Sequence, residues 1–195
     1  VPLRFTTAAA FAVCLLVGAA VAGQAWPATG ETVARHRIDP ARSRLSFFAT
    51  SRFVDAPGLF HRFRGEIRVD REAPERSAVV VEVEAASIDT RNARRDDHLR
   101  SEDFFWVERF PLVRFQSDRV ERAGDGFTVA GSLTMRGVTR ALAVPLAVSK
   151  QGQVLTVRGQ FVVRQSDFGF PYRGLLNPIR DDVQITFELV AVPIP

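Results

Sequence analysis

Cysteine is all but missing: among 195 residues only Cys14 is present, and it lies inside an N-terminal apolar run. A chain that loses this run keeps no thiol, which excludes disulfides, thiolate nucleophiles and cysteine-ligated metals. Its stability then has to come from packing. Val13 precedes Cys14 where a lipid-attachment site would need a small residue. Lysine is equally scarce. Lys150 is the single lysine, and the remaining basic residues are arginines, which raise the isoelectric point without building a large positive field. Histidine occurs three times, at His36, His61 and His98, with no His-x-x-x-His pair, so a metal would need ligands from distant strands. No Gly-x-Ser-x-Gly element is present either. Nucleic-acid binding calls for basic clusters interleaved with aromatics. The nearest cluster, Arg91, Arg94 and Arg95, runs straight into Asp96 and Asp97. No nucleic-acid partner is expected.

What is present begins with a secretory pattern. Arg4 supplies a positive start, Ala8 to Ala22 is apolar, and Ala20-Val21-Ala22 has the small-x-small form of a cleavage site. Residues 1–22, extending at most to 25, read as a signal peptide, with an uncleaved anchor as the competing reading. Residues 23–32 read as a flexible leader and 33–195 as one domain. Without Arg4 the chain has 25 basic and 22 acidic residues, a net charge of +3. Periplasmic or otherwise exported placement is the expectation.

From residue 33 onward the dominant pattern has period two. Leu59, His61, Phe63, Gly65, Ile67 and Val69 share one phase, and Arg62, Arg64, Glu66, Arg68 and Asp70 the other. Such alternation means one dry and one wet face. Comparable runs are Arg42 to Phe53, Ser77 to Ala86, Phe127 to Arg136, Ala141 to Ser149, Val154 to Arg164 and Val183 to Ala191. Ala56-Pro57-Gly58, Gly124-Asp125-Gly126, Gly137 and Gln151-Gly152-Gln153 read as turns. Pro145 suggests an edge or a bulge. The pattern predicts a mainly β fold, an extended antiparallel barrel of about eight strands, interrupted by one short helical insert at about residues 91–109.

A barrel of this size is either filled by side chains or holds one small ligand. The inward phase carries Phe47, Phe63, Phe115, Phe127, Phe161 and Phe187 beside Gly65, Gly131 and Gly159. Glycines in such positions either leave room in the lumen or mark bends, and the two readings are compatible. Any remaining space would be long and apolar, suited to a lipid tail. His61 falls on the same inward phase, which raises a haem-binding barrel as an alternative; no metal or other cofactor is expected.

The insert has cap candidates at Thr90 or Asn92 and at Ser101, and Pro111 stops it. Leu99, Phe104, Phe105 and Phe110 offer contacts that would close one end of the barrel. His98 stands near Asp96, Asp97 and Ser101, but three such groups within a turn and a half of helix cannot readily form a relay with an oxyanion hole. The chain is therefore not expected to be an enzyme.

Several motifs in order resemble the YceI-like, polyisoprenoid-binding family of exported bacterial proteins. They are Gly58-Leu59-Phe60-His61-Arg62-Phe63-Arg64-Gly65, Ser87-Ile88-Asp89-Thr90, Arg95 to Phe104, Phe110-Pro111 with Phe115-Gln116-Ser117, Gly131 to Thr139, and Arg164 with Asp167-Phe168-Gly169. The resemblance runs from about Arg37 to Val192. It implies a lipocalin-like barrel holding an isoprenoid chain, of polyprenyl phosphate or quinone type, without catalysis. Its expected lumen residues are Phe47, Phe60, Phe63, Gly65, Phe104, Phe115, Phe127, Gly131, Leu133, Phe161 and Phe187. Arg91, Arg95, His98 and Arg100 are candidate head-group contacts, because guanidinium groups match phosphate oxygens in pairs. The partner implied is a hydrophobic isoprenoid lipid, bound by a monomer or homodimer in transient contact with a membrane. A side-chain-filled structural module is the competing reading.

Overall fold

The structure is a computed structural model that describes residues 33–51, 55–170 and 179–194. The expected signal peptide and leader lie outside the described residues. Eleven strand segments follow one another: β1 (Val33–Ile38), β2 (Arg44–Ser51), β3 (Ala56–Phe60), β4 (Phe63–Asp70), β5 (Ala78–Glu84), β6 (Ile88–Asp89), β7 (Leu112–Ala123), β8 (Gly126–Met135), β9 (Val138–Gln151), β10 (Val154–Arg164) and β11 (Ile179–Pro193). The helix α1 (Ala93–Arg100) sits between β6 and β7.

All these segments belong to one sheet, ordered β1-β4-β5-β7-β8-β9-β10-β11-β2-β3-β6, and β1 also pairs with β11. The second contact closes an eight-stranded antiparallel barrel, as the alternation predicts. Every pairing is antiparallel, from Val33 opposite Asp70 to Leu155 opposite Ala191. β11 pairs with β10 on one side and with two strands on the other, its C-terminal part against β1 and its middle against β2. Consequently β1 and β2 are two halves of one barrel strand, and so are β3 with β4 and β5 with β6.

All three composite strands break at one level, at residues 39–43, 61–62 and 85–87. Backbone groups freed by the breaks find partners across them. His61 N–H donates to Ser87 O, Glu84 N–H to Arg62 O, and Ala85 N–H to Pro111 O. Buried backbone groups must be satisfied in this way or lose stability. Beyond the breaks β6 has no strand neighbour toward β7, and α1 with the turns of residues 101–110 occupies that side.

Four sequence expectations change here. Leu59 to Asp70 is two strands rather than one, because β3 pairs with β2 while β4 pairs with β1 and β5. Ala56-Pro57-Gly58 is not a turn but the start of β3, with Gly58 opposite Phe47. The helical insert shrinks from 91–109 to Ala93–Arg100. Asn92 caps it, its side chain accepting from Arg95 N–H. Ser101 starts no second helix; its hydroxyl donates to His98 O and closes the first. Finally, His61 points outward. It is exposed, with Nε2 2.9 Å from Asp89 Oδ2, so the inward site needed for a haem axial ligand does not exist at that position. Pro145 behaves as its missing N–H predicts: pairing between β9 and β10 runs from Gln151 to Leu146 and stops at the proline.

Outward phases carry cross-strand ion pairs such as Arg64 and Arg114 on Glu82, Arg62 on Glu84, and Arg158 on Glu188. Exposed pairs of this kind contribute little individually. Inward phases form the core, with Ile38, Phe63, Ile67, Val157, Phe187 and Leu189 in one cluster and Leu133, Met135, Val163 and Phe168 in another.

Candidate functional site

Between the inward faces runs a cavity of about 630 Å³. That volume lies within the ~300–1,000 Å³ of ordinary ligand sites and far above the gaps left in a packed interior. Its wall is almost wholly apolar. Leu45, Val81, Phe115, Leu133, Val144, Phe161 and Phe187 form the middle. Phe47, Ala49, Ala56, Phe60, Leu99, Phe104, Phe105 and Phe170 border it at the end covered by α1, and Val69, Val79, Val120, Phe127, Leu146, Val148 and Leu155 at the end carrying the β4–β5, β7–β8 and β9–β10 turns. The covered end is the cap end and the other the turn end.

Of the expected lumen residues, Phe47, Phe60, Phe104, Phe115, Phe127, Leu133, Phe161 and Phe187 border the cavity. Phe63, Gly65 and Gly131 do not. Phe63 is buried inside the main core cluster. A Cβ on Gly65 would stand 2.5 Å from Val80 O and 2.6 Å from Ile38 Cδ1, so the room it leaves is already filled by Ile38. A Cβ on Gly131 would run into Gln116 O and come within 2.7 Å of Ser117 Cα. That glycine lets β7 and β8 approach beside the register shift between Ser117 and Arg119. Neither glycine leaves room in the lumen: each sits where a neighbouring strand or side chain comes close, and of the two only Gly131 stands beside a register shift. The space comes instead from the width of the barrel.

The cap is joined by edge-on and tilted rings. Phe47 meets Phe60 at 5.6 Å between centroids, Phe60 meets Phe105 at 5.9 Å, Phe105 meets Phe170 at 5.4 Å, and Phe104 meets Phe170 at 6.2 Å. Edge-to-face pairs of this kind add to the burial they accompany. Polar groups hold the cap from outside. Buried Asp96 accepts from Thr90 N–H at 2.9 Å and Thr90 Oγ1 at 2.5 Å. Arg95 donates from Nε to Thr90 Oγ1 at 2.7 Å and from Nη2 to Thr90 O at 2.8 Å. Arg100 donates to Ala86 O at 3.0 Å and Ile88 O at 2.9 Å, the carbonyls around the β5–β6 break.

The candidate head-group contacts separate accordingly. Arg95 and His98 border the cavity, whereas Arg91 and Arg100 do not. Arg91 is exposed at φ 59°, and its N–H donates to Asp89 Oδ1. Together with the His61 hydrogen bond, which acts more strongly, that contact holds the Asp89 carboxyl below its usual range. Arg100 is turned toward the backbone by its two carbonyl partners.

Hydrolytic geometry is not assembled. Asp96 is committed to Thr90, Ser101 to a helix carbonyl, and His98 Nε2 lies 3.1 Å from Asp103 Oδ2. Among the described residues no group of three His, Cys, Asp or Glu side chains could hold a metal ion, and no described helix is long and apolar enough to cross a membrane.

Sequence reasoning missed Arg136. At φ 52° in the β8–β9 turn, its guanidinium donates to Glu102 O and Phe104 O and lies 5.6 Å from the centre of the Phe170 ring. Burial lowers its pKa, against the pull of Asp103 and Glu102. Arg136 lies inside the Gly131 to Thr139 motif, but its place before Gly137 gives no signal that it fastens a distant segment. Phe170 was also missed, since it falls in an irregular loop without periodicity.

A UPF0312 protein of Serratia proteamaculans is 38% identical over 143 residues, which are 69% of this chain and 72% of that protein. The chain spans about half the length of other curated relatives it matches. The crystal structure of Burkholderia cenocepacia BcnA superposes with a TM-score of 0.73 at 26% identity, over 80% of this chain and 99% of the other. A polyisoprenoid-binding domain from Saccharophagus degradans, described as implicated in plant cell wall breakdown, superposes with a TM-score of 0.66 at 16% identity, over 83% and 99%. This last likeness is one of fold. The YceI-like domain model matches residues 36–191, and with it the chain belongs to the YceI-like family.

Proposed function

We propose that this protein binds an isoprenoid lipid, with the prenyl tail inside the barrel, and sequesters, stores or carries it in the periplasm. The observation that carries the reading is the 630 Å³ apolar cavity bordered by residues from both ends of the barrel. A chain of methyl-branched hydrocarbon gains about 0.8 kcal/mol for each carbon it buries, so tail length supplies affinity without polar recognition. A barrel packed solid would leave no such space, which weighs against a purely structural module. The role is binding rather than catalysis, consistent with Asp96, Ser101 and His98 being spent on the cap.

The test is native mass spectrometry on protein purified without detergent, followed by incubation with geranylgeraniol. A co-purified mass matching a prenyl lipid, or stoichiometric uptake of the alcohol, is the expected result. A protein that emerges empty and takes up none would sink the reading. Periplasmic placement is checked separately by fractionating cells that express the full chain.

A further inference from the structure

Three of the residues that border the cavity are exposed to solvent: Arg71, Arg122 and Val148. All three lie at the turn end. Arg71 starts the β4–β5 turn, Arg122 stands near the end of β7, and Val148, 40% exposed, is on β9 opposite Val157. Residues both exposed and lining mark a mouth. At the cap end every described lining residue is buried or half-buried as a whole, although the His98 side chain is 41% exposed.

Charge is disposed differently at the two ends. At the cap end Arg95 and His98 border the cavity, but Arg95 holds Thr90 with two nitrogens and His98 faces Asp103. At the turn end Asp70, Arg71 and Arg122 border it. Asp70 is already answered: Glu72 and Ala73 N–H donate to it, and Arg76 lies 3.1 Å away. Arg71 and Arg122 have no ion-pair partner among the described residues; Arg122 rests 5.4 Å from the Phe127 ring centre. Other charges on the surrounding elements are Glu72 and Glu75 in the same turn, Arg119 paired with Glu121 on β7, Asp125 in the β7–β8 turn, and Lys150 on β9; none of them borders the cavity. Ser77, which does, accepts from Asp70 N–H and retains its hydroxyl hydrogen.

We infer that the turn end is the mouth through which the prenyl tail enters, and that Arg71 and Arg122, with Ser77, bind an anionic phosphate head group of that lipid there. This inference rests on the prenyl-lipid reading. Tail-first entry leaves the hydrated head in water and the hydrocarbon against the aromatic cap, which requires no buried charge. Two guanidinium groups without partners suit phosphate oxygens. The head-group role expected of the insert arginines passes to arginines at the opposite end.

The experiment is displacement of a neutral fluorescent prenyl alcohol by geranylgeranyl phosphate, geranylgeraniol or inorganic phosphate, at low and high salt. Wild-type protein is expected to prefer the phosphate over the alcohol by about tenfold, less at high salt. The variant carrying Arg71→Gln and Arg122→Gln is expected to lose that preference while binding geranylgeraniol as before, which also shows that it folds. Arg95→Gln is the opposing arm. If the preference is absent, survives in the double variant, or disappears in Arg95→Gln alone, the inference is overturned while the prenyl-lipid reading stands. Inorganic phosphate that competes as well as the lipid would mark a free-anion site instead and overturn it too. If the neutral probe itself does not bind, the prenyl-lipid reading falls, and this inference with it.

Discussion

Replacing Gly131 by alanine tests whether the inward-phase glycines make room or make bends. The added methyl would meet the backbone of β7 at Gln116 and Ser117, and Gln116 C would lie 2.9 Å away. None of these atoms can rotate aside. Ser117 is buried, and its hydroxyl accepts from Val79 N–H at 2.8 Å, so separating β7 from β8 also strains the link from β7 to β5. Overpacking costs roughly 1–3 kcal/mol, and a buried N–H left without a partner adds about 1–3 kcal/mol. The expected loss is therefore ~3–5 kcal/mol, read as about 6–20 °C in melting temperature for a domain of this size. Gly152→Ala is the comparison. There φ is 59° and no atom lies within 4 Å, so only the left-handed penalty of about 1–2 kcal/mol applies. Thermal melts followed by circular dichroism would rank the two. A Gly131→Ala protein that melts at or above Gly152→Ala would refute the close approach, and one as stable as wild type that rejected prenyl lipid would put Gly131 back in the ligand's path.

Other expectations concern the cap and the buried histidine. Asp96→Ala leaves Thr90 N–H and Oγ1 without their acceptor; a loss of about 2–4 kcal/mol is expected, from charge-assisted bonds worth ~1.5–3 kcal/mol and the desolvated donor left behind, measured by urea unfolding. Arg100→Lys keeps the charge but cannot reach Ala86 O and Ile88 O as a fork, so it should cost ~1–2 kcal/mol and raise hydrogen exchange at residues 85–89. His36 is buried, with Nε2 3.1 Å from Gln153 O and Nδ1 unpartnered. Burial, then Lys150 and Arg71, depress its pKa below the ordinary value in spite of that hydrogen bond. The unfolded chain consequently binds the proton first, at about pH 6.5. Stability should be full above that pH, fall as pH drops below it, and level off below the depressed folded value. His36→Gln should flatten this part of a stability-against-pH curve, and an unchanged slope would remove His36 as its source.

The fold was legible because its signals are local. Alternation in Phe127 to Arg136 and Val154 to Arg164 needs no partner to be recognised, and the glycine turns between strands state their own geometry. The breaks in the composite strands were not legible. Leu59, His61, Phe63 and Gly65 keep a spacing of two that hides the switch, whereas the residues turned inward are Phe60 and Phe63, three apart, because β2 and β1 claim different halves of that stretch. His61 was misplaced for this reason, since one irregular residue pair reverses the inward phase. The cavity wall was largely legible, because eight of eleven expected residues border it. The glycines failed because phase tells which way a Cβ would point but not how near the next strand lies. Arg71 and Arg122 carry no pattern at all; they matter only where two turns meet one mouth.

The stretch Arg95 to Phe104, one of the motifs that carry the family resemblance, helps to close the cap end. Three strands breaking at one level free backbone groups that no ladder can satisfy. Arg100 caps two of the carbonyls concerned, Arg95 fixes Thr90 beside them, and Asp96 draws Thr90 against the helix. Each such role demands one residue type at one position, which is what makes a motif recognisable. The cavity wall demands only apolar side chains of suitable bulk, and many combinations meet that. In this chain the motif builds the cap, and four of its residues, Arg95, His98, Leu99 and Phe104, also line the cavity. At the mouth inferred for the turn end, exchanging Arg71 and Arg122 should alter which head group is preferred without disturbing the motif or the cap.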